Sequence, residues 1–187
     1  MKTFKPSLLA SLCALTLSIT ALNVTAADAP KEAAKPAEAA PAGQQRQQVP
    51  AARGPALELA IEAARIANET CAADGGQKIA TSVVDSAGVL KVLLASDGAS
   101  PRGVASSTNK AVTALNFKAS TSQLAEQAKT DKALADKVAA DTTINVRPGG
   151  ILIKVGDEII GAIGVGGGRT DEPCALAGLQ KIQARLK

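Results

Sequence analysis

Histidine, tryptophan and tyrosine are absent from this chain of 187 residues. Its one methionine is the initiator Met1, and its two phenylalanines are Phe4 and Phe117. The lack of histidine excludes Ser-His-Asp and Cys-His catalysis, His-ligated zinc and a His axial ligand to haem iron. A lone phenylalanine outside the N-terminal segment cannot form an aromatic platform for nucleobases. Chemistry must therefore come from backbone groups, charged and hydroxyl side chains, amides and cysteines.

The net charge of +4 arises mainly near the N-terminus. From Pro55 to Lys187 the chain has 15 Lys and Arg residues against 14 Asp and Glu residues, without a run of basic residues. Proteins that bind nucleic acid through its phosphates carry a basic face. We therefore expect no nucleic-acid partner.

Residues 1–26 have the pattern of a secretory signal peptide. Lys2 and Lys5 precede an apolar stretch at 8–22, and Val24-Thr25-Ala26 supplies small residues before a cleavage point. The stretch is short and interrupted by serine and threonine, which favours a cleaved signal over a membrane anchor. We expect a periplasmic or secreted protein with no membrane span after cleavage.

Residues 27–54 are rich in alanine, proline and glutamine. Because this composition cannot bury enough apolar surface to offset its conformational entropy, we interpret the segment as a disordered linker. Residues 55–187 have the length of one ordinary domain.

Hydrophobic periodicity divides this domain into five helices and five strands. Helices are predicted at 56–73, from about 104 to 119, at 122–129, at 131–140 and from about 171 onward. Strands are predicted at 78–84, 89–96, 144–146, 151–155 and 158–165. The fold class is therefore α/β in the α+β sense, with hairpins that make the sheet antiparallel and helices that flank it.

Two cysteines, Cys71 and Cys174, remain in the exported domain, where an oxidising compartment allows a disulfide. A bond across 103 residues would contribute about 4 to 5 kcal/mol in the chain-entropy model. The alternative is a pair of buried free thiols. Each cysteine lies on the buried face of a terminal helix, and antiparallel packing of those helices would favour the bond.

Five motifs in a fixed order resemble the GlcG/HbpS-like haem-binding family. They are Val83-Val84-Asp85-x-x-Gly88-x-Leu90, Asp97-Gly98-Ala99, Lys110-Ala111-x-Thr113-Ala114, Pro148-Gly149-Gly150-Ile151, and Gly161-Ala162-Ile163-Gly164-Val165-x-Gly167-Gly168.

The resemblance covers residues 56–187 and includes a domain found at the C-terminus of some corrinoid adenosyltransferases. It implies a profilin-like fold with a five-stranded antiparallel sheet, homo-oligomers, and haem as a cofactor or ligand. It also places a ligand cavity near the middle helix and the glycine-rich strand end. Some relatives use histidine to bind haem iron, and this chain has none.

The middle helix carries the side chains that we predict to bind a ligand. They fall on one line of the helix and comprise Arg102, Ser106, Lys110, Thr113 and Phe117. The cations suit a carboxylate such as a haem propionate, Phe117 suits an apolar ring, and Thr113 offers an oxygen to iron. An amphipathic helix with one solvated face and one core phenylalanine is the alternative.

Gly166 and Gly167 are candidate ligand-binding residues, because a glycine-rich turn before a helix can hold an anion with backbone N–H groups. Gly161 and Gly164 are interpreted as relief of crowding where a helix crosses the strand. Asp171 and Glu172 are interpreted as complements to a helix N-terminus.

Three functions are compatible with these residues. The first is an exported, non-catalytic binder of haem or another tetrapyrrole. The second is a periplasmic binding or sensor module for a small organic acid. The third is a haem-degrading enzyme, which ranks last because no histidine is available for proton transfer.

Overall fold

The computed structural model describes residues 51–187. The predicted signal peptide at 1–26 and most of the predicted linker at 27–54 lie outside the described residues. At the start of the described part, the backbone N–H of Arg53 donates to Ser86 Oγ at 2.9 Å. The Arg53 guanidinium donates to the carbonyl of Lys187 at 2.9 Å. Arg53 therefore contacts the domain.

The described residues form five α-helices and four β-strands, with a short 3₁₀ turn after the last helix. The order along the chain is α1 (Leu57–Ala73), β1 (Ala80–Asp85), β2 (Leu90–Ala95), α2 (Pro101–Phe117), α3 (Thr121–Gln127), α4 (Lys132–Ala140), β3 (Gly150–Val155), β4 (Glu158–Gly166) and α5 (Asp171–Ile182).

Local sequence signals determine where the central helices begin and end. Ser100 caps α2 by accepting from Gly103 N at 3.0 Å, and Pro101 occupies the first turn. Lys118 ends α2 in the left-handed conformation, with φ of 54°. Ser120 and Gln123 then form a capping box that starts α3.

The four strands form one antiparallel sheet in the order β2-β1-β4-β3. The α+β class, the antiparallel pairing and the flanking helices are confirmed, whereas the prediction of five strands is wrong for the described residues. The predicted strand at 144–146 does not form. The reason is that the backbone N–H of Asn145 donates to Thr113 Oγ1 on α2 at 2.9 Å instead of to a strand.

Helices α1 and α5 cover one face of the sheet and enclose the larger core cluster. Small residues allow the two helices to approach closely. A Cβ at Gly178 of α5 would collide with the carbonyl of Ala63 on α1. The predicted disulfide between Cys71 and Cys174 is present and links the two helices, with a Cα–Cα distance of 5.6 Å.

Helix α2 covers the opposite face of the sheet and packs mainly against β4 and β1. Its backbone lies against β4 because Gly164 has no side chain there. A Cβ at Gly164 would lie 2.6 Å from the backbone nitrogen of Ala111 and would overlap the carbonyl of Ser107. This glycine fixes the depth at which α2 lies on the sheet, and therefore the position of every α2 side chain at the site.

Within residues 51–187, no helix is long and apolar enough to cross a membrane.

Candidate functional site

A cleft of about 450 Å³ lies where the N-terminal half of α2 meets the end of β4 and the start of α5. Charged, hydroxyl and glycine residues dominate its walls. Residues that line it include Arg102, Gly103, Ser106 and Lys110 from α2, Arg147 and Pro148 from the loop before β3, and residues 167–173.

The floor of the cleft holds a buried ion pair. Lys110 Nζ donates to Asp171 Oδ2 at 2.6 Å and to the carbonyl of Val165 at 2.9 Å. The Lys110 side chain is 2% exposed and that of Asp171 is 10% exposed. Asp171 Oδ1 accepts from Gly168 N at 2.8 Å. The pair therefore ties α2, β4 and the start of α5 together.

Three arginines give the cleft an excess of positive charge. They are Arg102, Arg147 and Arg169. Lys110 already neutralises Asp171, so Glu172 is the remaining acidic residue in the lining. Among residues 51–187, none of the three guanidinium groups forms an ion pair. Such a cleft attracts anions, and guanidinium groups bind carboxylates with directed hydrogen bonds.

Arg147 reaches the cleft on a loop that is fixed at Asn145. The N–H of Asn145 donates to Thr113 Oγ1 at 2.9 Å, and its side-chain Nδ2 donates to Ser106 Oγ at 3.0 Å. Asn145 Oδ1 accepts from the N–H of Arg147 at 3.1 Å. Two members of the predicted ligand stripe, Ser106 and Thr113, therefore hold this loop.

Thr113 is only 3% exposed and does not line the cleft. Its hydroxyl oxygen accepts a hydrogen bond from the N–H of Asn145. The oxygen that we considered as an iron ligand is therefore already hydrogen-bonded within the protein. In the described structure this oxygen faces the 145–148 loop.

Phe117 lies in a separate groove of about 400 Å³ beside α4. Leu124, Leu134 and Lys137 share this groove, and Lys137 Nζ lies 5.6 Å from the centroid of the Phe117 ring. The phenylalanine is therefore apart from the cationic cleft.

The two candidate glycines differ in their surroundings. Gly167 lines the cleft with φ of 104°, a conformation that favours glycine. Gly166 is buried, and a Cβ there would lie 2.6 Å from the carbonyl oxygen of Gly103 and from the nitrogen of Ser107. Gly166 thus permits α2 to contact the strand end, and Gly167 borders the cleft.

The structure brings together four of the predicted ligand-binding residues, Arg102, Ser106, Lys110 and Gly167. The cleft is also lined by Arg147, Arg169 and Asp171, which we did not predict as ligand-binding residues. Arg147 and Arg169 each adjoin a Pro-Gly or Gly-rich turn, and this sequence signal was available. The role of Asp171 depends on Lys110, which lies 61 residues away along the chain.

The disulfide adjoins one wall of the cleft, since Cys71 Sγ lies 4.0 Å from the carbonyl oxygen of Thr170, a residue of that wall. Gln77 connects this region to the cleft, because its Nε2 donates to Thr170 Oγ1 at 2.6 Å and its Oε1 accepts from Arg169 N. Cys174 follows this wall in the first turns of α5. The covalent link and these hydrogen bonds hold the 169–173 wall against the C-terminal end of α1.

Among residues 51–187, no group of three or more Cys, Asp or Glu side chains is arranged to hold a metal ion.

The fold and the cleft together define an α+β domain that carries a cationic cleft beside the glycine-rich end of a strand. Residues 56–180 match the family described as "Haem degrading protein HbpS-like". The match covers more than half of the chain, and the chain belongs to the HbpS-like family. The resemblance read from the five motifs is thereby confirmed.

Solved structures of two proteins support this assignment. A double mutant of HbpS from Streptomyces reticuli is 31% identical, with a TM-score of 0.64, over 78% of this chain and 98% of that one. The protein ORFY of Klebsiella pneumoniae is 26% identical, with a TM-score of 0.64, over 78% of this chain and 99% of that one.

A third structure, described as a PduOC:heme complex, is 20% identical, with a TM-score of 0.61. The match covers 68% of this chain and 94% of the PduOC chain. At this identity it shows a shared fold. Among curated proteins, none matches the sequence.

Proposed function

We propose that this protein is an exported, non-catalytic binder of haem or a related tetrapyrrole, and that the acid groups of the ligand bind in the cationic cleft. The observation that carries the proposal is the set of three arginines around one cleft, none of them ion-paired within residues 51–187. The family description names haem, and a structure of the same fold is described as a haem complex.

The residues present fit the acid groups of haem better than its iron. Arg102 and Arg147 would bind propionates, while the Lys110–Asp171 pair holds the floor on which they lie. When bound, haem would supply its iron and its conjugated ring. No histidine exists in the chain to bind the iron, so we expect the affinity for haem to depend strongly on charge.

A small organic acid is a second candidate ligand, and the character of the cleft favours it. The cleft has a volume of about 450 Å³ and no aromatic residue in its lining, and Phe117 belongs to another groove. Larger ligands are normally buried in pockets with mainly apolar walls. A binding or sensor module for a small organic acid therefore remains the alternative proposal.

Haem degradation is the third candidate, and the family description is the observation that favours it. Incubation of the protein with haemin and a reductant tests this activity. We expect the Soret band to persist, and formation of a biliverdin-like product above the rate of free haemin would establish catalysis instead.

Export and self-association complete the proposal. The pattern of residues 1–26 supports export to the periplasm or medium, and the family resemblance supports a homo-oligomer. Mass measurement of the protein recovered from the exported fraction tests both points. Recovery of an uncleaved chain in the cytoplasm would contradict export, and a monomeric mass in light scattering would contradict self-association.

A haemin titration of the purified protein tests the principal proposal. We expect a shifted Soret band that saturates at micromolar haemin and weakens in Arg102→Ala. Lys132→Ala is a matched control, because Lys132 is an exposed cation on α4 outside the cleft. Absence of a Soret shift together with stabilisation by a carboxylate in a thermal-shift screen would favour the organic acid.

A further inference from the structure

The loop that delivers Arg147 to the cleft follows a long surface excursion of the chain. Between residues 125 and 144 no residue is buried. Helix α4 lies within this excursion and contributes no buried residue. Its ion pair, between Lys132 and Asp136, is internal to the helix. Helix α4 contacts α2 in the groove that Leu134 and Lys137 share with Phe117, which is separate from the cleft.

Asn145 is the first residue after α4 that hydrogen bonds to the body of the domain. The turn before it is closed on itself, since Asp141 Oδ1 accepts from Thr143 N at 2.8 Å and from Thr143 Oγ1 at 2.6 Å. Asn145 in contrast makes two hydrogen bonds to α2, through its N–H and its Nδ2. The path of the chain toward the cleft is thus set at Asn145.

The chain is fixed again just beyond Arg147. The N–H of Val165 donates to the carbonyl of Gly149 at 2.9 Å, which joins the loop to β4. Pro148 restricts the backbone of Arg147 to an extended conformation. Arg147 therefore lies between two anchors, and Asn145 also accepts a hydrogen bond from the Arg147 N–H directly.

We infer that Asn145 is a positioning residue, which places Arg147 at the cleft and so makes Arg147 a determinant of specificity for acidic ligands. This inference rests on the proposed function in that the cleft must bind an acidic ligand. It assigns a role to three polar side chains, because Ser106 and Thr113 act by holding Asn145.

A double-mutant cycle between Asn145 and Arg147 tests this role. We expect Asn145→Ala and Arg147→Ala each to weaken haemin binding by about two- to fivefold, the effect of one partly exposed ion pair. The double variant should bind no more weakly than Arg147→Ala alone, because Asn145 acts through Arg147. A purely structural role of Asn145 would instead give additive losses.

Variants of Thr113 separate the hydrogen bond from the packing. Thr113→Ser keeps the hydroxyl that accepts the Asn145 N–H and should bind haemin as the unaltered protein does. Thr113→Val removes the acceptor and should reproduce the loss seen in Asn145→Ala. Asn116→Ala is the matched control, since Asn116 is an exposed asparagine of α2 outside the cleft.

The same cycle is measured with citrate by calorimetry, so that the positioning role and haem binding are tested separately. If haemin does not bind but citrate does, and the cycle is non-additive, the positioning role stands and the haem proposal falls. If either probe binds but Asn145→Ala or Arg147→Ala has no effect, or the losses add, the positioning role is overturned. Failure of both probes to bind would overturn it as well.

Discussion

Lys110 Nζ and Asp171 Oδ2 lie 2.6 Å apart in the floor of the cleft, with both side chains at most 10% exposed. Removing one partner leaves the other charge buried without compensation, which typically costs about 3 to 5 kcal/mol. We expect Lys110→Met and Asp171→Asn each to lower the free energy of unfolding by that amount in urea denaturation.

The double variant Lys110→Met/Asp171→Asn should be less destabilised than the sum of the two single variants, because it leaves no uncompensated charge. The exposed pair Lys132–Asp136 provides the control, and Lys132→Met should change stability by less than about 1 kcal/mol. If the single variants at Lys110 and Asp171 lose no more free energy of unfolding than this control, the ion pair does not hold the floor of the cleft.

The disulfide between Cys71 and Cys174 should contribute strongly to stability. In the chain-entropy model, a bond across 103 residues constrains the unfolded chain by about 4 to 5 kcal/mol. We expect Cys71→Ser/Cys174→Ser to melt at a lower temperature than the unaltered protein. Reductant should lower the melting temperature of the unaltered protein and leave that of the double variant unchanged. Two titratable thiols in the native protein under oxidising conditions would contradict this prediction.

Most of the fold could be predicted from sequence because its signals are local, whereas for the two cysteines the sequence left both a disulfide and two buried free thiols open. Hairpin turns, helix periodicity and the cysteine faces of the terminal helices each occupy short segments. The strand predicted at 144–146 failed because Ile144-Asn145-Val146 has the alternation of a strand, while its backbone bonds to a side chain of α2. Alternation does not reveal whether the backbone of a segment will bond to a neighbouring strand or to a side chain of another element.

The site was predicted less completely, since it depends on contacts between distant segments. Helical spacing placed Arg102, Ser106 and Lys110 on one line of α2, and all three line the cleft, yet the spacing could not show that Lys110 pairs with Asp171. The same spacing also assigned Phe117 to the site, although Phe117 lies in a separate groove. The 145–148 loop contacts α2 at Thr113, between the cleft and Phe117 along the helix. The path of this loop is a tertiary feature, and the spacing of residues on α2 cannot reveal it.

The close packing of α2 on β4 gives a third prediction. A Cβ at Gly164 would overlap the backbone of α2, so Gly164→Ala must displace the helix and should destabilise the domain by about 3 kcal/mol. Gly156→Ala is the comparison, because Gly156 has a positive φ of 58° but no neighbour within 4 Å. We expect it to cost only about 1 kcal/mol of backbone strain. Equal losses in urea denaturation would show that α2 yields easily at this contact.

A fourth prediction decides between the cationic cleft and the full helical stripe as the ligand site. Phe117 lies in the groove beside α4, whereas Arg102 lines the cleft. We expect Phe117→Leu to change the dissociation constant for haemin by less than about twofold, since this change keeps an apolar side chain in the groove beside α4 and leaves the cleft intact. Arg102→Ala should weaken binding by about two- to fivefold at low salt, and by less as salt screens the contact.

Tenfold weaker binding in Phe117→Leu, with a native melting temperature, would place the ligand ring along α2 toward α4. In that case the 145–148 loop would have to move when the ligand binds, because Asn145 covers the oxygen of Thr113.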